Sequence, residues 1–346
     1  MGKFQSRKKK LIAYAIIVSL SMQSALPCVM NAAMAAPKAA PPIINIAKPN
    51  DSGLSHNKAD SFNVGIEGIV FNNNASAGNV NSVLAGQVGT NTNLAGNAAK
   101  TILQEVTGSG ISNLNGMMEI AGSKANLIIA NPNGIVGNGF GFINVDRATL
   151  VTGKPNITAD GKLDSFTVNS GYVNIEGTGN TPVFDEAAGQ YKYAPVSKLD
   201  IYTNAANINA ELWAQDELNI VAGKNKIDYA TGKPTAAFGS QGSGVNLDVG
   251  ALGGMYAGKI TLVGTNKGLG MNVAGNISAG KNLSITNEGK IVFTKSGDVV
   301  KDEQGNITDS TETTINSDGT INIDSGSGNI ENSANISAKG SISLDT

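Results

Sequence analysis

Side chains able to do acid–base, nucleophilic or metal chemistry are scarce in this sequence. His56 is the only histidine, Cys28 the only cysteine, and Arg147 the only arginine beyond the first ten residues. A histidine can serve as a general base or a metal ligand. His56 has no second histidine and no thiol to share a metal with, so a structural, hydrogen-bonding role is the stronger reading. Asp298, Asp302, Glu303 and Asp309 surround Gly305 and offer the oxygen ligands that calcium takes. Their spacing fits neither an EF-hand loop nor the aspartate-containing nonapeptide calcium repeats, which leaves a solvated acidic hairpin. A solenoid that cleaves polysaccharides would cluster Asp, Lys, Arg or His on one face of successive turns. No carboxylates pair at turn spacing here, so that reading stays a minor alternative. The abundant polar group is asparagine, with 41 residues beside 43 glycines. Its chemistry is hydrogen bonding to neighbouring amides and to corner backbone.

The elements that would position those amides are short strands. Leu127-Ile128-Ile129-Ala130 is an unbroken apolar run of the kind that forms a strand buried on both faces, and Asn131-Pro132-Asn133-Gly134 ends it in a tight turn. Proline presets φ at the second turn position, Asn and Gly tolerate positive φ, and Asn131 can accept from the backbone two residues on. Ile135-Val136 resumes the strand pattern, glycines follow at 137, 139 and 141, and Phe142-Ile143-Asn144-Val145 resumes it again. Short strands alternating with Asn/Gly corners make a chain that coils. Asn276-Ile277-Ser278-Ala279 with Leu283-Ser284-Ile285 recurs as Asn335-Ile336-Ser337-Ala338 with Ile342-Ser343-Leu344, a separation that three coils of about 20 residues would fill. Leu218-Asn219-Ile220, Ile260-Thr261-Leu262 and Ile321-Asn322-Ile323 share the same apolar-polar-apolar form. Three segments break the rhythm, at about 178–197, 223–244 and 294–311, and read as hairpins laid outside the coil.

Composition sets the class. Hydrophobic residues reach 40% but aromatics only 5%, which describes a thin aliphatic core, and a net charge of −2 with 15% charged residues argues against a nucleic-acid partner. Lys3, Arg7, Lys8, Lys9 and Lys10 precede an apolar run from Leu11 to Leu20, and Ala33-Met34-Ala35 offers a cleavage site. Residues 1–35 are therefore expected to be a secretory signal peptide, since the run is about half the 20 residues a membrane span needs. Cys28 falls within it, with Pro27 where a lipoprotein signal needs a small residue, so the mature chain would carry no thiol, disulfide or cofactor site and would not span a membrane. The composition predicts an all-β, repetitive solenoid with a thin aliphatic core, asparagine-rich corners and hairpins laid outside the coil.

Ser55-His56-Asn57-Lys58 with Phe62-Asn63-Val64, Asn72-Asn73, Ile102 to Gly108 with its Glu-Val-Thr-Gly core, and Ala130-Asn131-Pro132-Asn133-Gly134-Ile135 followed by Phe142-Ile143-Asn144 occur in an ordered succession over roughly residues 45–155. Together they resemble the amino-terminal secretion domain of filamentous haemagglutinin-like exoproteins, the exported partners of two-partner secretion. The resemblance implies a right-handed parallel β-helix with short capping strands and extra-helical hairpins, its cap and first coils over 36–155 and continuing coils over 156–346. Such a domain is recognised in the periplasm by an outer-membrane transporter with POTRA domains and exported to the cell surface or medium, without enzymatic activity. A host-cell or bacterial surface receptor would be its further partner. It also implies two secretion motifs. Asn131, Pro132, Asn133, Gly134 and Ile135 match the second in full, whereas Asn91-Thr92-Asn93-Leu94 keeps Asn91, Asn93 and Leu94 of the first but has threonine in place of proline, in a segment expected to be extended where the transporter would recognise it. Gly137 and Phe140 occupy the region where some relatives carry a cysteine pair. The resemblance implies that the chain heads an adhesin, with the export stalk of a contact-dependent toxin as the alternative.

Overall fold

The computed structural model describes residues 39–239, 241–295, 299–301, 307–310, 312–326 and 328–346. The expected leader, 1–35, and the acidic residues Asp298, Asp302 and Glu303 lie outside the described residues. Strands visit three faces in a fixed order: one turn runs Lys259–Gly264, Gly270–Val273 and Asn276–Ala279, and returns to the first face at Leu283–Asn287. The first face is a ten-stranded sheet from Leu54–Ala59 to Ile342–Asp345, and the second an eight-stranded sheet from Ser112–Leu114 to Ile330–Asn332. The third consists of a four-stranded sheet starting at Ile43–Asn45 and a five-stranded sheet starting at Glu211–Trp213. Neighbours in these sheets pair in parallel, and the chain is a right-handed parallel β-helix.

Stacked aliphatic columns hold it together. Leu199, Leu218, Ile260, Leu283 and Ile321 follow one another in register, with Ile201, Ile220, Leu262, Ile285 and Ile323 beside them. All ten are at most 1% exposed. Each such side chain contributes about 1.5–3 kcal/mol on burial, whereas ordering a residue costs about 1–2 kcal/mol. A turn of about 20 residues with a few aliphatic anchors is therefore stable only between neighbours. The asparagines of the repeated Asn-Ile-Ser motif contribute across turns: Asn276 Oδ1 accepts from Thr314 N at 2.9 Å, and Asn282 Oδ1 from Thr320 N at 3.0 Å. The spacing of that repeat differs from the expected three coils. Asn276–Ala279 pairs with Thr314–Ser317, which pairs with Asn335–Ala338, so only two turns separate the copies. The extra length is the antiparallel hairpin Val299–Lys301/Ile307–Ser310, inserted in the first of them.

Further antiparallel pairs leave the solenoid at Val80–Ser82/Gly86–Val88, Val183–Asp185/Gln190–Tyr193 and Asn225–Asp228/Pro234–Ala237. A pair that the sequence reading did not separate from the coils, Lys154–Ile157/Leu163–Val168, joins the last of these through Leu163–Val168 and Asn225–Asp228. Leu163-Asp164-Ser165-Phe166-Thr167-Val168 is a short apolar–polar run bounded by glycine and asparagine like those of the coil strands, so its pattern gave no sign of leaving the helix. The resulting four-stranded outer sheet lies against the ten-stranded face. Ile128 and Ala130 pack outward with Phe166, Val168 and Ile227, while Leu127 and Ile129 point into the solenoid. That is the physical reason the strand Ala125–Ala130 is apolar at consecutive positions.

Candidate functional site

Asn131 is fully buried at the corner where the first face turns into the second. Its Oδ1 accepts from Asn133 N at 3.0 Å, the expected side-chain turn, and Gly134 N donates to Asn131 O at 3.3 Å. Its amide reaches back one coil, donating to Gly110 O at 2.9 Å and Ser112 Oγ at 3.0 Å. Asn133 Nδ2 adds a bond to Gly108 O at 2.8 Å. Asn133 does not adopt the positive φ that its type allows; Gly134 does, at 143°. Asparagine at 133 is therefore explained by its amide, and glycine at 134 by backbone and by space, since a Cβ there would meet Ile111 and Tyr172. Ile135 is buried in the core. What reaches solvent is part of Pro132 and Asn133, flanked by the exposed side chains of Ile111 and Tyr172.

The first corner repeats this arrangement without proline. Residues 91–94 differ from the extended segment expected: Thr92–Leu94 is a single 3-10 turn capped by Asn91, whose Oδ1 accepts from Asn93 N at 3.1 Å. The local Asn-x-Asn bond is stronger than the extended tendency, so threonine substitutes for proline without loss of the turn. Asn91 Nδ2 donates to Ile46 O and Asn72 O, each at 2.9 Å, and Asn93 Nδ2 to Ile46 O at 3.3 Å. Leu94 is a core residue at 0% exposure, while Thr92 and Asn93 are exposed. Both corners thus use one asparagine to form the turn and two amides to staple it to preceding chain. They sit on different edges of the solenoid, Asn91 between third and first face, Asn131 between first and second, and no hydrogen bond joins them among the described residues. Asn73 continues the stapling, holding Ala99 O and Ser123 O at 2.9 Å. Asn144 does the same to Ile120 O at 2.8 Å from a φ of 58°.

Sequence reasoning missed a buried polar cluster under the outer sheet, for which the lone arginine was the available signal. A β-bulge between Val145 and Ala148 places Arg147 against Asp200, which is 0% exposed, with Nε to Oδ2 at 2.5 Å. Arg147 Nη2 donates to Tyr202 OH at 3.1 Å, and the guanidinium lies 4.5 Å from the Tyr229 ring centre. Burial pulls the Arg147 pKa down, but the Asp200 carboxylate more than offsets it and the net shift is upward. Burial raises both Tyr202 and Tyr229 above the usual tyrosine value of 10.0. Below that value the phenols are protonated in folded and unfolded chains alike. As pH climbs past it, the unfolded chain ionises first and stability is lost up to the folded-state values. Urea midpoints measured from about pH 8 to about pH 11 should fall above pH 10, and Tyr229→Phe should flatten the fall.

His56 Nε2 lies 2.6 Å from Glu105 Oε2 on the adjacent strand, an ion-pairing and hydrogen-bonding role. Carboxylates do pair at coil spacing in one place, Asp324 beside Asp345, where both are exposed. The two stand one coil of about 20 residues apart, so the pair was readable from spacing and the sequence reading overlooked it. The buried carboxylate of Glu119, at the rim of a cavity beside Asn74 and Asn144, is taken up by Ser82 Oγ, Val83 N and Leu84 N at 2.7–2.8 Å.

A family model described as the TPS secretion domain matches residues 26–293. The crystal structure of the filamentous hemagglutinin secretion domain superposes with a TM-score of 0.69 at 28% identity, covering 88% of this chain and 94% of that one. The chain is 44% identical over 257 residues to a 16S rRNA endonuclease CdiA of Enterobacter cloacae subsp. cloacae, covering 73% of this chain. It is 38% identical over 309 residues to a tRNA nuclease CdiA of Yersinia mollaretii, covering 85% of this chain. It spans only 7% and 10% of the length of these two relatives.

Proposed function

Because the chain belongs to the TPS secretion-domain family, we propose that it is the amino-terminal export module of a two-partner-secretion exoprotein, led into the periplasm by the signal peptide at 1–35. Its partner is an outer-membrane transporter whose POTRA domains receive it, and its destination is the cell surface or the medium. The carrying observation is the match over residues 26–293 to that family together with the TM-score of 0.69 to a filamentous haemagglutinin secretion domain. The asparagine corners support a division of labour. Asn91 and Asn131, both buried, act through folding, whereas the exposed rim, Thr92 and Asn93 on one edge and Pro132, Asn133, Ile111 and Tyr172 on the other, is the surface offered to the transporter. A thiol-free solenoid of short strands suits passage through a narrow pore as an unfolded chain, with each coil templating the next outside and folding biasing transport outward.

The relatives' names favour a second reading of the whole protein, the export stalk of a contact-dependent toxin rather than of an adhesin. The module itself serves either. We read it as non-enzymatic, and its receptor would be a host-cell or bacterial surface component. Expression in a Gram-negative host with and without the cognate transporter tests the export reading. A protease-resistant fragment should reach the medium only with the transporter. Retention with it would overturn the proposal.

A further inference from the structure

We infer that the four-stranded outer sheet is a strap that joins the first seven strands of the ten-stranded face into a single cooperative folding unit, closed only when residues 225–237 dock. A plain solenoid couples each turn to its neighbours alone. Here one apolar layer draws on Leu54, Leu103, Ile128, Ala130, Val151, Tyr202 and Val221, with Val263 at its margin, and covers all of them with Leu163, Phe166, Val168, Ile227 and Tyr229. Those residues belong to seven successive strands, from Leu54–Ala59 to Lys259–Gly264.

The strap is tied at both ends and in the middle. Asn50 Nδ2 and Ser52 Oγ, ahead of the first strand, donate to Gly161 O at 2.7 and 3.0 Å. Asn126 Nδ2 donates to Tyr229 OH at 3.3 Å, and Asn219 Nδ2 to Gly232 O at 3.2 Å. Just beyond the seventh strand, Thr265 Oγ1 donates to the fully buried Asn225 Oδ1 at 2.6 Å. The outward column of the face changes character where the strap ends. Ala130, Val151, Tyr202, Val221 and Val263 are followed in register by Thr286, Asp324 and Asp345. In this column apolar residues stand where there is a cover and polar ones where there is none; the neighbouring outward column carries Asp200, paired with Arg147.

The consequence for export rests on the reading above. A chain emerging amino end first has only Leu163, Phe166 and Val168 to cover the outward side chains of Leu54, Leu103 and Ile128 until the hairpin Asn225–Asp228/Pro234–Ala237 adds Ile227 and Tyr229. The folding boundary of the export module then falls after Gly264, not near residue 155. Hydrogen exchange on the purified full chain, with no transporter present, tests the strap separately from the export reading. In rising sub-denaturing urea, amides from Leu54–Ala59 through Lys259–Gly264 should converge on one opening transition, while Ile321–Asp324 and Ile342–Asp345 exchange earlier. Ile227→Ala should speed exchange in Leu54–Ala59 and in Lys259–Gly264 by a common factor of about 30 or more. A smooth gradient of opening along the solenoid, or an Ile227→Ala effect confined to the strands directly beneath residue 227, would overturn the inference.

Discussion

Replacing Arg147 by methionine is expected to destabilise the domain by about 3–5 kcal/mol, because the substitution leaves the Asp200 carboxylate buried without its counter-charge. Asp200 has no solvent to turn to: it is 0% exposed, and its second oxygen has no hydrogen-bond partner among the described residues. Arg147, its partner, lies against Tyr202 and Tyr229, and Phe166 packs on both of those rings. The same surroundings predict a rescue. In the double variant Arg147→Met, Asp200→Leu both charges are gone and apolar side chains of similar size fill an already apolar layer, so most of the lost stability should return. Urea unfolding of the two single variants and the double variant measures the coupling. A single variant within about 1 kcal/mol of the parent, or a double variant as weak as the worse single one, would show that the pair is not what the strap closes on.

Asn131→Ala carries the other large effect, about 3 kcal/mol. Four hydrogen bonds disappear with the side chain, two donated to Gly110 O and Ser112 Oγ and two accepted from Asn133 N and Asn133 Nδ2, each worth about 0.5–1.5 kcal/mol net and all at a buried corner. Asn133→Ala, half-buried, should cost about 1 kcal/mol. Pro132→Ala should cost still less, since proline acts mainly by restricting the unfolded chain, an effect of about 0.4–1 kcal/mol. If the motif serves folding, the yield of exported, protease-resistant fragment follows the order of these stabilities. An Asn131→Ala chain with the parent's unfolding midpoint and no export would instead make the asparagine a recognition residue.

The same contrast explains what was legible in the sequence. Period-two alternation over short runs, asparagine and glycine at the breaks, and the absence of thiols fixed a parallel solenoid of exported type, because in such a fold each strand's inward and outward sides are set by local alternation alone. The tight turn at Asn131 and its bond to residue 133 were equally local, and equally readable. The number of turns between the Asn276 and Asn335 repeats was not read correctly: the hairpin at about 294–311 was legible, but its length was divided among coils of about 20 residues. Nor was the 3-10 turn at Thr92–Leu94, where a side-chain cap outweighs the extended tendency of the residues. The strap lay furthest out of reach. Arg147 and Asp200 meet on neighbouring coils, but Phe166 and Ile227 cover that face together only after two hairpins separated along the chain have paired across the outside of coils already formed. Local pattern decides which way a side chain points; which residues cover it from beyond the neighbouring coil is decided only by the tertiary structure, because strand alternation carries no record of distant partners.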